Sequence, residues 1–418
     1  MQESQKPVLI AVPTHELKEQ IIRDAKDCGI EDICGTPDIK TYGISKEIID
    51  EMNDIYRIGA GIYALRFLLS KLTELNRTSP DYYKISSYLK DCKRSVRFSG
   101  HIITTHARLL RMPQMVLESH EFIIDEDILR SVLRTESVDI KEVKKIRNSG
   151  ILPEYISSRL GEICMMRGYH AMDELDIFSD ENQLETLMGR NANMYGLLKS
   201  RYINIAKGKI TFLIEDKLPD CKLIILSATI SHELYKMIYP NRSIDYCECP
   251  RAKYKEKVVQ YTDSGYSRYA LNENYDKKKL LTELCKHNEV ITFKSIENEF
   301  HTRYHFGNIE GMNHLKGKNL SVVGLPNLDE TVYCLYGMRA GAKIKKAVMY
   351  LQRIIYRDKS FYLNTYKNGV LQMIQTWLIS SQLEQAVGRA RLLREYCMVI
   401  VYAGFPVEQA EYIYKSFF

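Results

Sequence analysis

Residues 121–127 read Glu-Phe-Ile-Ile-Asp-Glu-Asp, a short apolar run that ends abruptly in three acids. Phe122-Ile123-Ile124 has the length and composition of a strand buried on both faces, and such strands belong to parallel sheets covered by helices. The same design recurs along the chain. In the first half it appears at 7–13 (PVLIAVP), 100–105 (GHIITT) and 222–228 (KLIILSA). In the second half it appears at 289–293 (EVITF), 320–325 (LSVVGL) and 397–402 (CMVIVY). Each run leads into turn or polar residues and then a helical pattern, which predicts an α/β protein. At 418 residues the chain exceeds what one hydrophobic core organises. Two sheet domains in tandem are expected, over 1–250 and 251–418.

Two segments break the rhythm. Residues 39–97 are rich in Tyr, Leu and Lys and helical in pattern, and 129–209 also read mostly as charged helix. Both are read as helical insertions in the first domain. The polar stretch 251–279 reads as the connection into the second.

Composition narrows the class. Hydrophobic residues make up 45% and charged residues 27%, as in an ordinary folded protein. Fifty-nine Lys and Arg against 53 Asp and Glu leave a net charge of +6. That surplus suits a polyanion partner and a mildly basic enzyme equally well. No apolar run approaches membrane-spanning length, and the polar start at Met1 has no secretory character. The ten cysteines are scattered without a CxxC pair, which fits a reducing compartment, and a cytoplasmic location is expected. Cys28, Cys34 and Cys92 invite an iron–sulfur reading, but a cluster takes four thiolates and Cys164 lies far along the chain. They are read as inert thiols.

Three motifs carry chemistry. Asp125 and Glu126 follow an apolar strand, where an open α/β sheet presents its ligands. One carboxylate there can anchor hydrated Mg²⁺ while its neighbour polarises an attacking water. Alone, the stretch is as well read as a solvated turn. A second acidic run, 173–176 (DELD), lacks a preceding strand and is set aside. Ser227-Ala228-Thr229 ends another strand with two hydroxyls, able to link a carboxylate to moving elements or simply to cap the strand. Finally, 385–394 reads QAVGRARLLR. On a helix Gln385 and Arg389 share a face, and an Arg there can stabilise charge on a transferring phosphoryl group. Gly388 within that helix asks for a reason, and close backbone approach is the expected one.

Order joins these pieces. Residues 13–20 (PTHELKEQ), Thr104-Thr105-His106, Asp125-Glu126, Ser227-Ala228-Thr229 and 385–394 stand in the order of the superfamily 2 helicase motifs. The chain resembles that superfamily over nearly its whole length, most of all the DEAD/DEAH-like DNA helicases of phages and mobile elements. The matching segments are 13–20 (motif Ia), 104–106 (Ib), 125–127 (II), 227–229 (III), 290–294 (IV), 307–317 with the strand at 320–325 (V), and 385–394 (VI). The resemblance implies two RecA-like domains that bind ATP between them, with single-stranded nucleic acid, DNA above all, crossing both. By family role Asp125 holds Mg²⁺ through water and Glu126 orients the nucleophile. Gln385, Gly388 and Arg389 face the nucleotide, with Arg391 or Arg394 as the second arginine. Ser227 and Thr229 couple hydrolysis to strand binding. Pro13, Thr14, Thr104, Thr105, His106, Gly311 and Asn313 are expected on the strand's backbone, where small polar groups and amides suit phosphates better than bases.

Three departures qualify the match. The fourth residue of motif II is Ile128, without the usual polar link to motif III. Leu392 stands where the second arginine of motif VI belongs. No GxxxxGK[ST] occurs, and 337–343 (GMRAGAK) has neither its spacing nor its strand context. Without that loop the β- and γ-phosphates lose their cradle, and the first sheet is expected to show an uncovered edge or a gap where the loop's strand belongs. Two readings follow. The chain is the motor of an ATP-dependent helicase or translocase whose phosphate loop lies in a missing N-terminal segment, with that segment or a replication partner expected beside single-stranded nucleic acid as partners. Alternatively, it is a helicase-like module that binds single strands without turnover.

Overall fold

The computed structural model describes residues 6–173, 175, 192–262, 265–309, 311 and 313–413. The chain divides into two compact units, Met1–Ser227 and Ala228–Phe418, each with its own parallel sheet. The α/β expectation holds.

In the first unit β1 (Val8–Val12) leads through helix His15–Asp27 to β2 (Ile33–Gly35), followed by β3 (His101–Thr105) and β4 (Glu121–Asp125). Next come β5 (Leu133–Asp139), β6 (Gly168–Ala171), β7 (Tyr202–Ala206) and β8 (Lys209–Glu215), before β9 (Leu223–Leu226) rejoins the first sheet. That sheet runs β2-β3-β1-β4-β9, all parallel, with Ile10 beside both Ile103 and Ile123. Leu9, Ile102, Phe122 and Ile124 are buried in it, as the apolar runs require. The sheet ends at β9, where Ile224 and Leu226 are 40% and 53% exposed.

The stretch 129–209 departs from its helical reading. It supplies β5, β6 and β7 and, with β8, forms a four-stranded antiparallel sheet in the order β5-β8-β7-β6. The overlooked signal is 202–215 (YINIAKGKITFLIE), where buried Ile203, Ile205, Ile210 and Phe212 alternate across a two-residue turn. Lys207 and Gly208 both have positive φ (50° and 77°), the geometry of a type I′ hairpin. Lys-Gly in place of Asn-Gly hides it. The 39–97 stretch is helical as expected, with helices Lys46–Arg57, Ala64–Glu74 and Pro80–Val96. The two insertions share one core, in which Ile55, Ile58 and Ala60 pack with Val138, Leu160, Ile203 and Phe212. Asn193 helps to hold it. Its side-chain oxygen accepts from the Gly196 N–H at 2.7 Å while its amide donates to the Glu136 carboxylate.

The second unit holds β10 (Val258–Tyr261), β11 (Glu289–Thr292), β12 (Tyr304–His305), β13 (Leu320–Val323), β14 (Met349–Tyr356), β15 (Lys359–Tyr366), β16 (Val399–Tyr402) and β17 (Ala410–Ile413). Six form a parallel sheet in the order β12-β11-β13-β16-β10-β17, while β14 and β15 make a separate hairpin. Apolar side chains cover both faces of the sheet. Ile291, Val322 and Val401 meet Ile379, Leu383 and Ala386 of helix Gly369–Gly388. Val290, Val323 and Tyr402 meet Leu271 and Leu281 of helices Arg268–Glu273 and Tyr275–Cys285. The 251–279 stretch is thus more than a connection, since it contributes β10 and part of this helical cover. Its strand is masked by Gln260, wholly buried, whose amide donates to the carbonyls of Ala403 and Phe405 while its oxygen accepts from the Val407 N–H. No helix of the described residues is long and apolar enough to cross a membrane.

Gly59 tests the shared core. It sits at φ +84°, and a Cβ there would collide with the Asn193 side chain and press on the Gly196 amide. Gly29 has the same φ with open space around it. Gly29→Ala should therefore cost about 1 kcal/mol for the backbone alone, and Gly59→Ala upward of ~2 kcal/mol, in urea unfolding.

Candidate functional site

Because the first sheet is parallel, β1, β3, β4 and β9 all deliver their carboxyl ends to one edge. Pro13 and Thr14 follow β1. Thr14 caps helix His15–Asp27, its hydroxyl accepting from the Leu17 N–H at 3.2 Å, and the open amides of that helix's first turn lie at this edge. Asp125, Glu126 and Asp127 end β4, each half-buried. Glu126 has φ +71°, a conformation costing a non-glycine residue on the order of 1 kcal/mol. Its N–H donates to the Leu226 carbonyl at 2.8 Å, tying the ends of β4 and β9 together. Such strain persists only where neighbours over-determine it, and it gathers at functional positions. Asp127 accepts from the Leu129 N–H at 2.9 Å. Ile128 is wholly buried, so the fourth position of the acidic motif serves packing.

His106 fixes Asp125 from behind. Its Nε2 lies 2.9 Å from the Asp125 carbonyl, and burial pulls the imidazole pKa down to about 4 against the opposing effect of that bond. The ring is neutral near pH 7.

The expectation that Thr104, Thr105 and His106 meet a nucleic-acid strand is not what their placement favours, for all three are buried. The Thr104 hydroxyl bonds that of Thr36 at 3.0 Å, and the Thr105 hydroxyl accepts from the Arg108 N–H at 3.3 Å. They frame the edge from within. Lys18, which the sequence reading passed over, is buried beside them, donating its ammonium to the Thr36 carbonyl and pairing with Glu19 at 3.1 Å. Nothing in a Lys-Glu pair on an amphipathic helix marks it as interior.

Ser227 closes the first unit and Thr229 belongs to the second. Thr229 is buried against helix Gly369–Gly388, its hydroxyl 3.2 Å from that of Ser381 and its carbonyl accepting from the Trp377 indole at 3.1 Å. Farther along this helix Gln385 is half-buried, Gly388 is the last helical residue and Arg389 is its buried cap. A Cβ on Gly388 would meet nothing within 4 Å, so close approach within the described residues of the second unit does not explain that glycine. Arg391 and Arg394 are exposed. The Arg391 guanidinium reaches Asn313 at 3.4 Å, and the Gly317 N–H donates to the Ala390 carbonyl at 3.1 Å. The 307–317 and 385–394 segments therefore meet, but they precede β13 and β16 and so lie at the amino edge of the second sheet. Gly311 is buried at φ +73°, and Met312 lies outside the described residues.

The carboxyl edge of the second sheet belongs instead to Phe293-Lys294, the end of the 290–294 match, and to 324–329 (GLPNLD), of which the sequence reading passed over 326–329. At Gly324 (φ +120°) a Cβ would run into the Phe293 ring. Asn327 accepts from the Tyr333 hydroxyl and, at 3.3 Å, from the Gln375 amide. The signal was present, since an acid follows shortly after an apolar run just as it does at 121–127.

Among the described residues no three His, Cys, Asp or Glu side chains gather as metal ligands. Cys28 is exposed, Cys34 half-buried, and Cys92 and Cys164 buried, so no cluster site forms from them. Gly337 lies inside helix Glu330–Arg339, which removes 337–343 as a phosphate loop. In the second acidic run, Glu174 and Asp176 lie outside the described residues.

Glu126→Gly should raise stability by about 1 kcal/mol, since glycine adopts φ +71° freely, while removing the carboxylate; chemical denaturation measures it. The two units should also respond oppositely to pH. His106 takes up its proton near 6.5 when unfolded but near 4 when folded, so its contribution is full above 6.5 and is lost towards 4. Glu384, on helix Gly369–Gly388, is pushed up to about 7 by burial, with Arg357 and Arg251 pulling the other way. Its folded form keeps a proton that the unfolded chain releases near 4.5, so stability is lost as pH rises from 4.5 to 7. Each effect amounts to roughly 3 kcal/mol at full extent. In urea titrations at pH 5 and 7, His106→Gln should abolish the fall on acidification and Glu384→Gln the rise. A scan of protein-family models and a search of curated proteins find no match to this chain.

Proposed function

We propose that this chain is the motor portion of a nucleic-acid-dependent ATPase of the helicase type, its two units serving as RecA-like domains. The observation that carries the reading is the edge of the first sheet. Asp125 and a strained Glu126 stand there beside the helix amides at Thr14 and the end of β9. In this reading Asp125 holds Mg²⁺ with water and phosphate oxygens completing the shell, the usual way this ion is bound, and no larger carboxylate cage is required. Glu126 accepts the proton of the attacking water. Mg²⁺ supplies charge neutralisation on the phosphates. The neutral His106 keeps the Asp125 backbone in place.

The chain's own residues do not cradle the β- and γ-phosphates, because no glycine-rich loop occurs in the sequence. The edge at β9 suits a further strand carrying such a loop, since its apolar side chains are half-exposed and among the described residues the strand pairs only with β4. The missing loop is also the one observation that favours a second reading, a module that holds single strands without turnover.

ATP hydrolysis measured with and without single-stranded DNA separates the two. The motor reading expects Mg²⁺-dependent hydrolysis stimulated by DNA and reduced at least ~100-fold by Glu126→Gln. DNA binding with no hydrolysis under any of these conditions leaves the binding module.

A further inference from the structure

Between Glu330 and Glu384 the sequence holds a single acid, Asp358, against eight Lys and Arg. That surplus exceeds the +6 of the entire chain, so the rest is close to neutral. At the centre of this stretch stands the hairpin of β14 and β15, hydrogen-bonded to no other sheet. One of its faces packs Ile354 and Leu363 into the core of the second unit. The opposite face turns outward. Leu351, Ile355 and Tyr362 are 72%, 77% and 68% exposed there, and Arg353 stands opposite Tyr362 in the register with its Nε donating to Ser360 at 2.7 Å. Lys343, Lys345 and Lys346, just before β14, are exposed and have no acidic partner among the described residues.

Apolar and aromatic side chains exposed together on a basic hairpin call for a ligand with flat apolar groups and regular negative charge. We propose that the outward face of this hairpin is a docking surface for single-stranded nucleic acid. Unpaired bases lie against Leu351, Ile355 and Tyr362, and phosphates lie on Lys343, Lys345 and Lys346. A duplex satisfies the lysines but keeps its base faces stacked away from the apolar side chains. An anionic membrane suits the charge, yet a hairpin that inserts leads with apolar residues, and this one ends in Arg357-Asp358-Lys359. The proposal extends the nucleic-acid part of the reading above and is independent of ATP chemistry.

Fluorescence anisotropy with a labelled oligothymidine of about twenty nucleotides tests it on the full chain. Replacing the three lysines with Gln should weaken binding about tenfold or more at low salt and flatten the slope of log K against log salt by about 2. Tyr362→Ala should weaken binding about tenfold and leave that slope unchanged. Ile151→Ser, which removes an exposed apolar residue of the first unit, should have no effect. Because Tyr362 is exposed, an unchanged melting temperature will show that the variant is folded. Equal binding by wild type and both hairpin variants overturns the proposal. So does a Leu351→Ser/Ile355→Ser variant that loses self-association or phosphatidylserine-vesicle binding while oligothymidine binding stays intact. A chain that hydrolyses no ATP but shows the expected losses keeps this surface, and one that hydrolyses ATP without them loses it.

Discussion

Parallel pairing is the constraint on which the first unit depends. With β1 flanked by β3 and β4, and β9 beyond β4, every strand must end at the same edge, and each connection must return across the sheet. Residues far apart in sequence are thereby placed within hydrogen-bond reach, as His106 is to Asp125 and Glu126 to Leu226. Neither bond is local, and together they hold the β4 end in a geometry that the acidic turn would not choose alone. The unfavourable φ of Glu126 is maintained by its neighbours.

Buried polar groups repeat this pattern in both units. Gln260 satisfies its amide on the 403–407 loop, and Thr104 bonds Thr36. A polar group withdrawn from water without a partner costs several kcal/mol at worst, so such groups specify which segments must come together. The half-buried Glu384 accepts the Glu408 N–H at 2.8 Å and has Arg357 3.7 Å away, which links the motif-bearing helix to the hairpin turn and to the segment before β17.

Much of the architecture could be read from the sequence because fully buried parallel strands are apolar without interruption. All seven apolar runs, from 7–13 to 397–402, contain a strand. The strands that escaped notice fail that test for particular reasons. Gln260 interrupts β10, and the turns of the two hairpins use Lys207-Gly208 and Arg357-Asp358 where Asn-Gly would have announced them. At the candidate site the acids after β4 stood out because charge follows an apolar run. Burial is not written in residue type, however. Thr104, Thr105 and Lys18 look like surface groups and lie inside. The 307–317 segment drew attention through its glycines, yet it precedes its strand and lies at the opposite edge from 324–329.

The two insertions of the first unit share one core, although Ala60 and Val138 are separated by β3 and β4. The first insertion packs part of its apolar surface within itself, around Ile48, Met52, Leu68 and Ile85, but the shared core cannot close until the chain between the two insertions has been laid down. Closing so long a loop carries an entropic penalty before any contact rewards it, and sequence-distant contacts slow folding. Consolidation of this core is therefore a late event, and it joins chain segments that lie on either side of β3 and β4 in the sequence. Once formed, it ties together the chain before β3 and the chain after β4, which restrains local opening of the segment that carries His106 and Asp125.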